Sequence, residues 1–335
     1  MTARRLELYR QLRRIRLLDE RLVQLQRQGR VGFHGSCAGQ EVAPVAAGVA
    51  LRPSDWIFPA LRESYVMLVR GYPLERYLAQ DFGSALDPSL GRQMPSHQSA
   101  RAVNVVSWSS CIATQLPHAV GMALAAKKRG STDISLAFLG DGATSHPDFH
   151  AALNFAGVFR APCVFVCQNN QFAISVPVER QSGNPLLFEK AAAYGIPGER
   201  VDGNDIEVVV EAMTRAAERA RTGGGPSFIE CLTYRIGPHS SSDDPSRYRD
   251  EAEARAWIER DPIALLRARL QADGALDAAF DEALTAELTR ELDLAVEAAA
   301  SVPPPPIASL FDDVYAKRPR HLIEQAASLE ALARR

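Results

Sequence analysis

The run Ile134-Ser135-Leu136-Ala137-Phe138-Leu139, followed at once by Gly140-Asp141-Gly142-Ala143-Thr144-Ser145, restricts the fold of this chain more than any other stretch. Six mostly apolar residues suit a strand buried on both faces, and two glycines allow a sharp turn at its carboxyl end. Residues 148–158 carry a helix-like apolar stripe. Pro162-Cys163-Val164-Phe165-Val166-Cys167-Gln168 then reads as the next buried strand, ending at Asn169-Asn170. The expected unit is βαβ, with its helix starting directly behind Gly-Asp-Gly. Parallel strands joined by a right-handed crossover end at one edge of the sheet, so Asp141 and Asn170, 29 positions apart, meet there. Their side-chain oxygens, with a carbonyl near Phe172, suit magnesium, which prefers an octahedron of oxygens shared with phosphate and water. The neighbouring helix amino terminus would offer N–H groups and a favourable dipole to a diphosphate.

A chain of 335 residues, 46% of them hydrophobic, can bury a large core. The expectation is a helical segment over 1–50, an α/β domain over 51–300, and a proline spacer with a docked tail over 301–335. A net charge of −2 and a pI near 6.4 give no general attraction to nucleic acid or to an anionic membrane, and neither is expected as a partner. No apolar segment is long enough to span a bilayer and the start lacks a secretory apolar core, so a cytoplasmic location is expected. Cys37, Cys111, Cys163, Cys167 and Cys231 lack the paired spacing of a zinc site and read as reduced core residues.

Apolar periodicity predicts helices over 6–28, 40–50, 111–129, 206–221, 262–272, 277–300 and 321–333, with a further strand over 227–232. The many arginines of the first helix read as a solvated or partner-facing surface. His34, in the turn Gly32-Phe33-His34-Gly35, suits either a ligand contact or a structural role in its loop. Gly223-Gly224-Gly225-Pro226 reads as a helix-to-strand connection, because it lacks the Lys-Ser or Lys-Thr of a nucleotide-binding loop. Pro303-Pro304-Pro305-Pro306 favours an extended spacer, after which Phe311, Val314 and Tyr315 are expected to dock.

Gly91-Arg92-Gln93-Met94-Pro95, the βαβ unit and the stretch Thr233-Tyr234-Arg235-Ile236-Gly237-Pro238-His239-Ser240-Ser241-Ser242-Asp243-Asp244-Pro245-Ser246-Arg247-Tyr248-Arg249 together resemble the α subunit of the 2-oxo acid dehydrogenase decarboxylating components, most of all the branched-chain (2-oxoisovalerate) type. The likeness runs from Leu17-Leu18-Asp19-Glu20 to Phe311-Asp312-Asp313-Val314-Tyr315. It implies a transketolase-like thiamine diphosphate-binding α/β fold, a parallel sheet flanked by helices. It also implies a β subunit that supplies the carboxylate activating the aminopyrimidine, a heterotetramer of two α and two β chains, and a lipoylated acyltransferase core. By this resemblance Asp141, Asn170 and the backbone of Phe172 bind magnesium, and Gly140, Gly142 and Ala143 line the diphosphate path. Arg62 would neutralise phosphate, a task suited to the guanidinium fork. Ser110 and Ile112 would contact the cofactor, with Ile112 as the wedge that bends it. His239 would be the catalytic histidine, able to change protonation near neutral pH. Ser240 is a candidate phosphorylation site in a loop whose acidic residues, serines and arginines can order it over the cofactor.

Three departures stand out. Leu61 sits where relatives often have tyrosine, Gln168 where some have arginine, and His146-Pro147 replaces an acidic-glycine pair. The implied reaction is oxidative decarboxylation of a branched-chain 2-oxo acid with acyl transfer to a lipoyl group, the cofactor serving as the electron sink. A pyruvate or acetoin dehydrogenase subunit, a non-catalytic diphosphate-binding subunit and a nucleotide-binding α/β protein are the alternatives.

Overall fold

The computed structural model describes residues 2–240 and 242–333; Ser241 of the serine run lies outside them. Five parallel strands, β1 (Trp56–Phe58), β2 (Ser135–Gly140), β3 (Cys163–Asn169), β6 (Gly198–Asp202) and β7 (Ser227–Leu232), form one sheet in the order β1-β2-β3-β7-β6. A small antiparallel hairpin, β4 (Phe172–Ala173) with β5 (Val176–Pro177), follows β3. The helices are α1 (Thr2–Arg27), α2 (Val42–Ala50), α3 (Val66–Val69), α4 (Leu74–Phe82), α5 (Gln115–Lys128), α6 (Pro147–Phe159), α7 (Val178–Gln181), α8 (Ile206–Arg221), α9 (Glu251–Ile258), α10 (Pro262–Ala272), α11 (Ala278–Ser301) and α12 (Arg320–Ala333).

The central strands read as unbroken apolar runs because helices cover both of their faces. Successive side chains of a strand point to opposite sides. Leu136 and Phe138 of β2 accordingly enter the core built with α1, α2, α8 and α11, while Ala137 and Leu139 enter the core built with α5 and α6. Small residues let elements approach closely: a Cβ on Gly48 would stand 2.4 Å from Val69, and one on Gly157 would stand 2.2 Å from a backbone oxygen of Tyr194. The α/β class expected from the sequence is the one observed.

Four local expectations need correction. A 3₁₀ turn over Asp141–Ser145 separates Gly-Asp-Gly from α6, which begins only at Pro147. His146 caps it, its side chain accepting from the Asp148 N–H, and Pro147 suits the first helical turn where no N–H is needed. Similarly α5 begins at Gln115 rather than Cys111, since Ala113 at φ +66° cannot belong to a right-handed helix. Cys111 is exposed, whereas the other four cysteines are buried. In the tail, Val314 and Tyr315 are exposed and do not anchor it to this chain.

Most of the arginines of α1 are not a free surface. They pair along the chain with acidic residues of distant segments: Arg10 with Glu287, Arg14 with Glu291, Arg21 with Asp293 at 2.9 Å, Arg5 with Glu207 and Asp273, and Arg16 with both Glu41 and Asp261. Most of these pairs tie α1 to α11 and its approach, while Leu8, Leu12, Ile15, Leu18 and Leu22 fill the core beneath.

Candidate active site

A cavity of about 400 Å³ opens at the carboxyl edge of the sheet. Because every strand runs the same way, the segments leaving β1, β2, β3 and β7 converge there, as expected for an open parallel sheet. Arg62, Ser110, Ile112, Gly140, Asp141, Gly142, Ala143, Asn170, Phe172 and His239 all line it. Ser240 does not, although it adjoins His239.

Asp141 follows the last residue of β2 and is 1% exposed. Its backbone carbonyl accepts from Thr144 Oγ1 at 2.8 Å and Gln181 Nε2 at 2.7 Å, which fixes the turn. Its Oδ2 has no partner among the described residues. Burial pushes its carboxyl up to about 6, against a partial offset from its own backbone N–H and Arg235. A buried carboxylate oxygen without a donor calls for a cation. Across from it, Asn170 Oδ1 accepts from the Phe172 N–H at 3.2 Å and Nδ2 donates to Gln40 Oε1 at 2.8 Å. The Phe172 carbonyl accepts from Arg235 Nη1 at 3.2 Å, so only its second lone pair is open to a metal.

Gly140 and Gly142 differ in why they are glycines. A Cβ on Gly140 meets nothing within 4 Å and would project into open space, whereas one on Gly142 would lie 2.8 Å from Ala173 Cβ. The first suits close approach of a ligand, the second packing of the hairpin on the turn.

Two buried guanidiniums flank the cavity. Arg62 donates to the carbonyls of Ser36 and, at 2.9 Å, His239. Burial and then the charge of Arg235 bring its pKa down to about 10. Arg235, 1% exposed, donates to the carbonyls of Phe172 and Ile174 and to Tyr248, and burial lowers it as well. These two cations meet carbonyls more than carboxylates, an arrangement suited to an anionic guest. Glu63, the glutamate among the lining residues, is not free to act. Its carboxylate accepts from Gln168 Nε2 and from the N–H groups of Ala60 and Arg62.

His239 is held differently from its reference behaviour. Burial first, then Arg62 and Arg235, push its pKa down to about 4, with only Asp243 opposing. At neutral pH the ring is uncharged, rather than poised to change protonation. Described residues around it are tied together: the His239 N–H donates to Asp243 Oδ2 at 2.7 Å, Tyr248 donates to the same carboxylate, and Arg249 donates to the carbonyls of Arg235, Ile236 and Gly237. Ser110 Oγ contacts His97 Nε2 at 2.8 Å, and that ring stacks on Trp108 at 3.9 Å. Ile112, in the loop before α5, is 57% exposed at the cavity mouth. His34 faces Asp19 at 2.8 Å and is 6% exposed, which favours its structural role.

Gln40, His97 and Arg235 went unassigned in the sequence. Arg235 lay inside the quoted motif, but its buried location depends on the strand it leaves. Among the described residues no cluster of three or more His, Cys, Asp or Glu side chains could hold a metal. Any ion here would depend on the single carboxylate of Asp141 together with amide, carbonyl and guest oxygens.

The profile described as "Dehydrogenase E1 component" matches residues 9–308. A relative in Mycobacterium tuberculosis (strain ATCC 25618 / H37Rv), named 3-methyl-2-oxobutanoate dehydrogenase subunit alpha, is 48% identical over 259 residues, covering 77% of this chain and 68% of that protein. A Homo sapiens protein named 2-oxoisovalerate dehydrogenase subunit alpha, mitochondrial, is 39% identical over 325 residues, 97% of this chain and 73% of its own length. In Arabidopsis thaliana, 2-oxoisovalerate dehydrogenase subunit alpha 1, mitochondrial, is 38% identical over 329 residues, 98% and 70% respectively. On this match, and with the cavity at the carboxyl edge of its parallel sheet, the chain belongs to the dehydrogenase E1 component family of thiamine diphosphate-dependent enzymes, as an alpha-type subunit.

Proposed function

We propose that this chain is the alpha subunit of a branched-chain 2-oxo acid dehydrogenase, acting on 3-methyl-2-oxobutanoate and related acids. Alpha subunits of this family work with a beta subunit and an acyltransferase. The observation that carries the proposal is the unpartnered Asp141 oxygen, placed in one cavity with two buried guanidiniums and an uncharged imidazole. The names of the three relatives favour the branched-chain substrate.

When bound, thiamine diphosphate supplies the nucleophilic carbon and electron sink for decarboxylation. Asp141, Asn170 and the open lone pair of the Phe172 carbonyl would hold magnesium, and Gly140, Gly142 and Ala143 would border the diphosphate. Arg62 balances phosphate charge. Ser110 and Ile112 contact the rings, and His239, kept neutral, gives or accepts a hydrogen bond at the reacting end. With Glu63 already engaged, the activating carboxylate comes from the beta subunit, in a complex of two alpha and two beta chains.

Ser240 is proposed as a regulatory site. A phosphate there adds about −1.5 to −2 charges beside Asp243, which secures the His239 backbone, and the repulsion loosens the loop. Mass spectrometry of native protein finding Ser240 unmodified in all growth conditions would remove this role. Cytoplasmic residence belongs to the same proposal and fits the unpaired cysteines; cell fractionation checks it.

The deciding assay co-expresses the chain with its beta subunit, adds thiamine diphosphate and magnesium, and compares branched 2-oxo acids with pyruvate and acetoin. Preference for branched acids is expected, and the alpha chain alone should be inactive. Preference for pyruvate or acetoin would reject the substrate assignment. Cofactor binding without decarboxylation of any acid would favour a non-catalytic subunit.

A further inference from the structure

Gln40 is 1% exposed and lies two residues before α2. The segment that carries it is firmly placed: the Cys37 N–H donates to Asp19 at 2.9 Å, the Ala38 carbonyl accepts from the Ile236 N–H at 3.1 Å, and the Gly39 carbonyl accepts from Thr233 Oγ1 at 2.8 Å. Its side chain reaches the cavity wall next to Asn170. The amide orientations follow from the backbone. Since the Phe172 N–H needs an acceptor, Asn170 presents Oδ1 to it and Nδ2 to Gln40, which must therefore answer with Oε1. The NH₂ of Gln40 is left buried without a partner among the described residues, on the same cavity as the unpartnered Oδ2 of Asp141.

A buried donor lacking an acceptor is destabilising unless something supplies one. We infer that Gln40 serves the diphosphate site from both ends of its amide: Oε1 fixes the rotamer of Asn170, and Nε2 donates to a diphosphate oxygen. The inference rests on the magnesium-diphosphate reading of Asp141 and Asn170. Gln40 is then a cofactor-binding residue that also positions a metal ligand, a combination in which outer partners commonly control metal affinity.

Two substitutions separate the roles in the assembled alpha–beta enzyme. Gln40→Glu keeps an acceptor for Asn170 but exchanges the amine for oxygen; Gln40→Met removes both. Thiamine diphosphate is titrated at fixed magnesium, and magnesium at fixed thiamine diphosphate, each followed by calorimetry and by the cofactor-induced rise in unfolding temperature. Gln40→Glu is expected to weaken thiamine diphosphate about tenfold or more, and Gln40→Met also to raise the half-saturating magnesium about ten- to hundredfold. Each variant's own cofactor-free unfolding temperature is the baseline for its cofactor-induced rise, because Gln40→Met leaves the buried Asn170 NH₂ without its acceptor and Gln40→Glu buries a carboxyl. Wild-type thiamine diphosphate affinity in Gln40→Glu would overturn the inference. Asp141→Ala is the control. If it keeps a normal magnesium requirement, the magnesium-diphosphate reading itself falls, and the Gln40 role with it. If it loses cofactor while the Gln40 variants bind normally, only the Gln40 role fails.

Discussion

Asp141 and His239 show how one cavity can oppose stability and serve binding. Replacing Asp141 with Asn removes a buried, half-unpaired carboxylate. The cofactor-free protein should gain stability near neutral pH, because an uncompensated buried charge is exchanged for a neutral amide, while the cofactor-induced rise in unfolding temperature should largely vanish; melts with and without magnesium and thiamine diphosphate measure both. His239 has a folded pKa of about 4 against 6.5 for the free residue. Between those values the unfolded chain binds more protons, so its contribution to stability rises with pH across that window and is complete above it. The full difference is at most about 3 kcal/mol, reduced by the partial exposure of the ring. Asp141 acts in the opposite direction over a similar range, so the contribution is best read as the difference in denaturant unfolding between wild type and His239→Asn from pH 4 to 7. Disappearance of the pH dependence from that difference would contradict a depressed His239. The sequence motif placed both residues on the cavity, but it could not report their protonation. That depends first on burial, and for His239 next on Arg62 and Arg235, which arrive from separate strand ends.

The turn after β2 separates two uses of glycine that the sequence presents as one motif. Gly140→Ala should leave the cofactor-free protein as stable as wild type yet weaken thiamine diphosphate, because the added methyl enters open cavity space. Gly142→Ala should destabilise both states, because its methyl meets Ala173 on β4. Thermal melts with and without cofactor distinguish them. Most long helices and the three central strands were legible in the sequence, because burial on one or both faces writes a strong apolar period. Helix α8 begins and ends where its stripe indicated, and in the structure Asp205 caps its start. The missed strands are informative. Strand β6, Gly-Glu-Arg-Val-Asp, lies at the sheet edge with partly exposed side chains, and β1 is only three residues long. Neither can write a pattern, and both are recruited by the neighbour they pair with. Helix α5 lost its predicted first turn to the left-handed Ala113, a backbone state no apolar period records.

The ion pairs along α1 differ in burial, and their contributions should differ accordingly. Arg10→Met, at an exposed pair with Glu287, should cost under about 1 kcal/mol. Arg16→Met strands Glu41, whose side chain is fully buried, and should cost about 3–5 kcal/mol. Denaturant unfolding of the two variants tests the contrast, and similar losses would mean that burial does not set the strength of these pairs. Sequence alone read these arginines as a solvated or partner-facing surface, since partners 277 positions away leave no local trace. That separation bears on how the molecule is made. Tyr9, Arg10 and Arg14 emerge from the ribosome long before Asp281, Glu287 and Glu291 exist. Through most of synthesis α1 is a basic helix with an uncovered apolar face, open to chaperones and to wrong partners, and its native site closes only when α11 arrives.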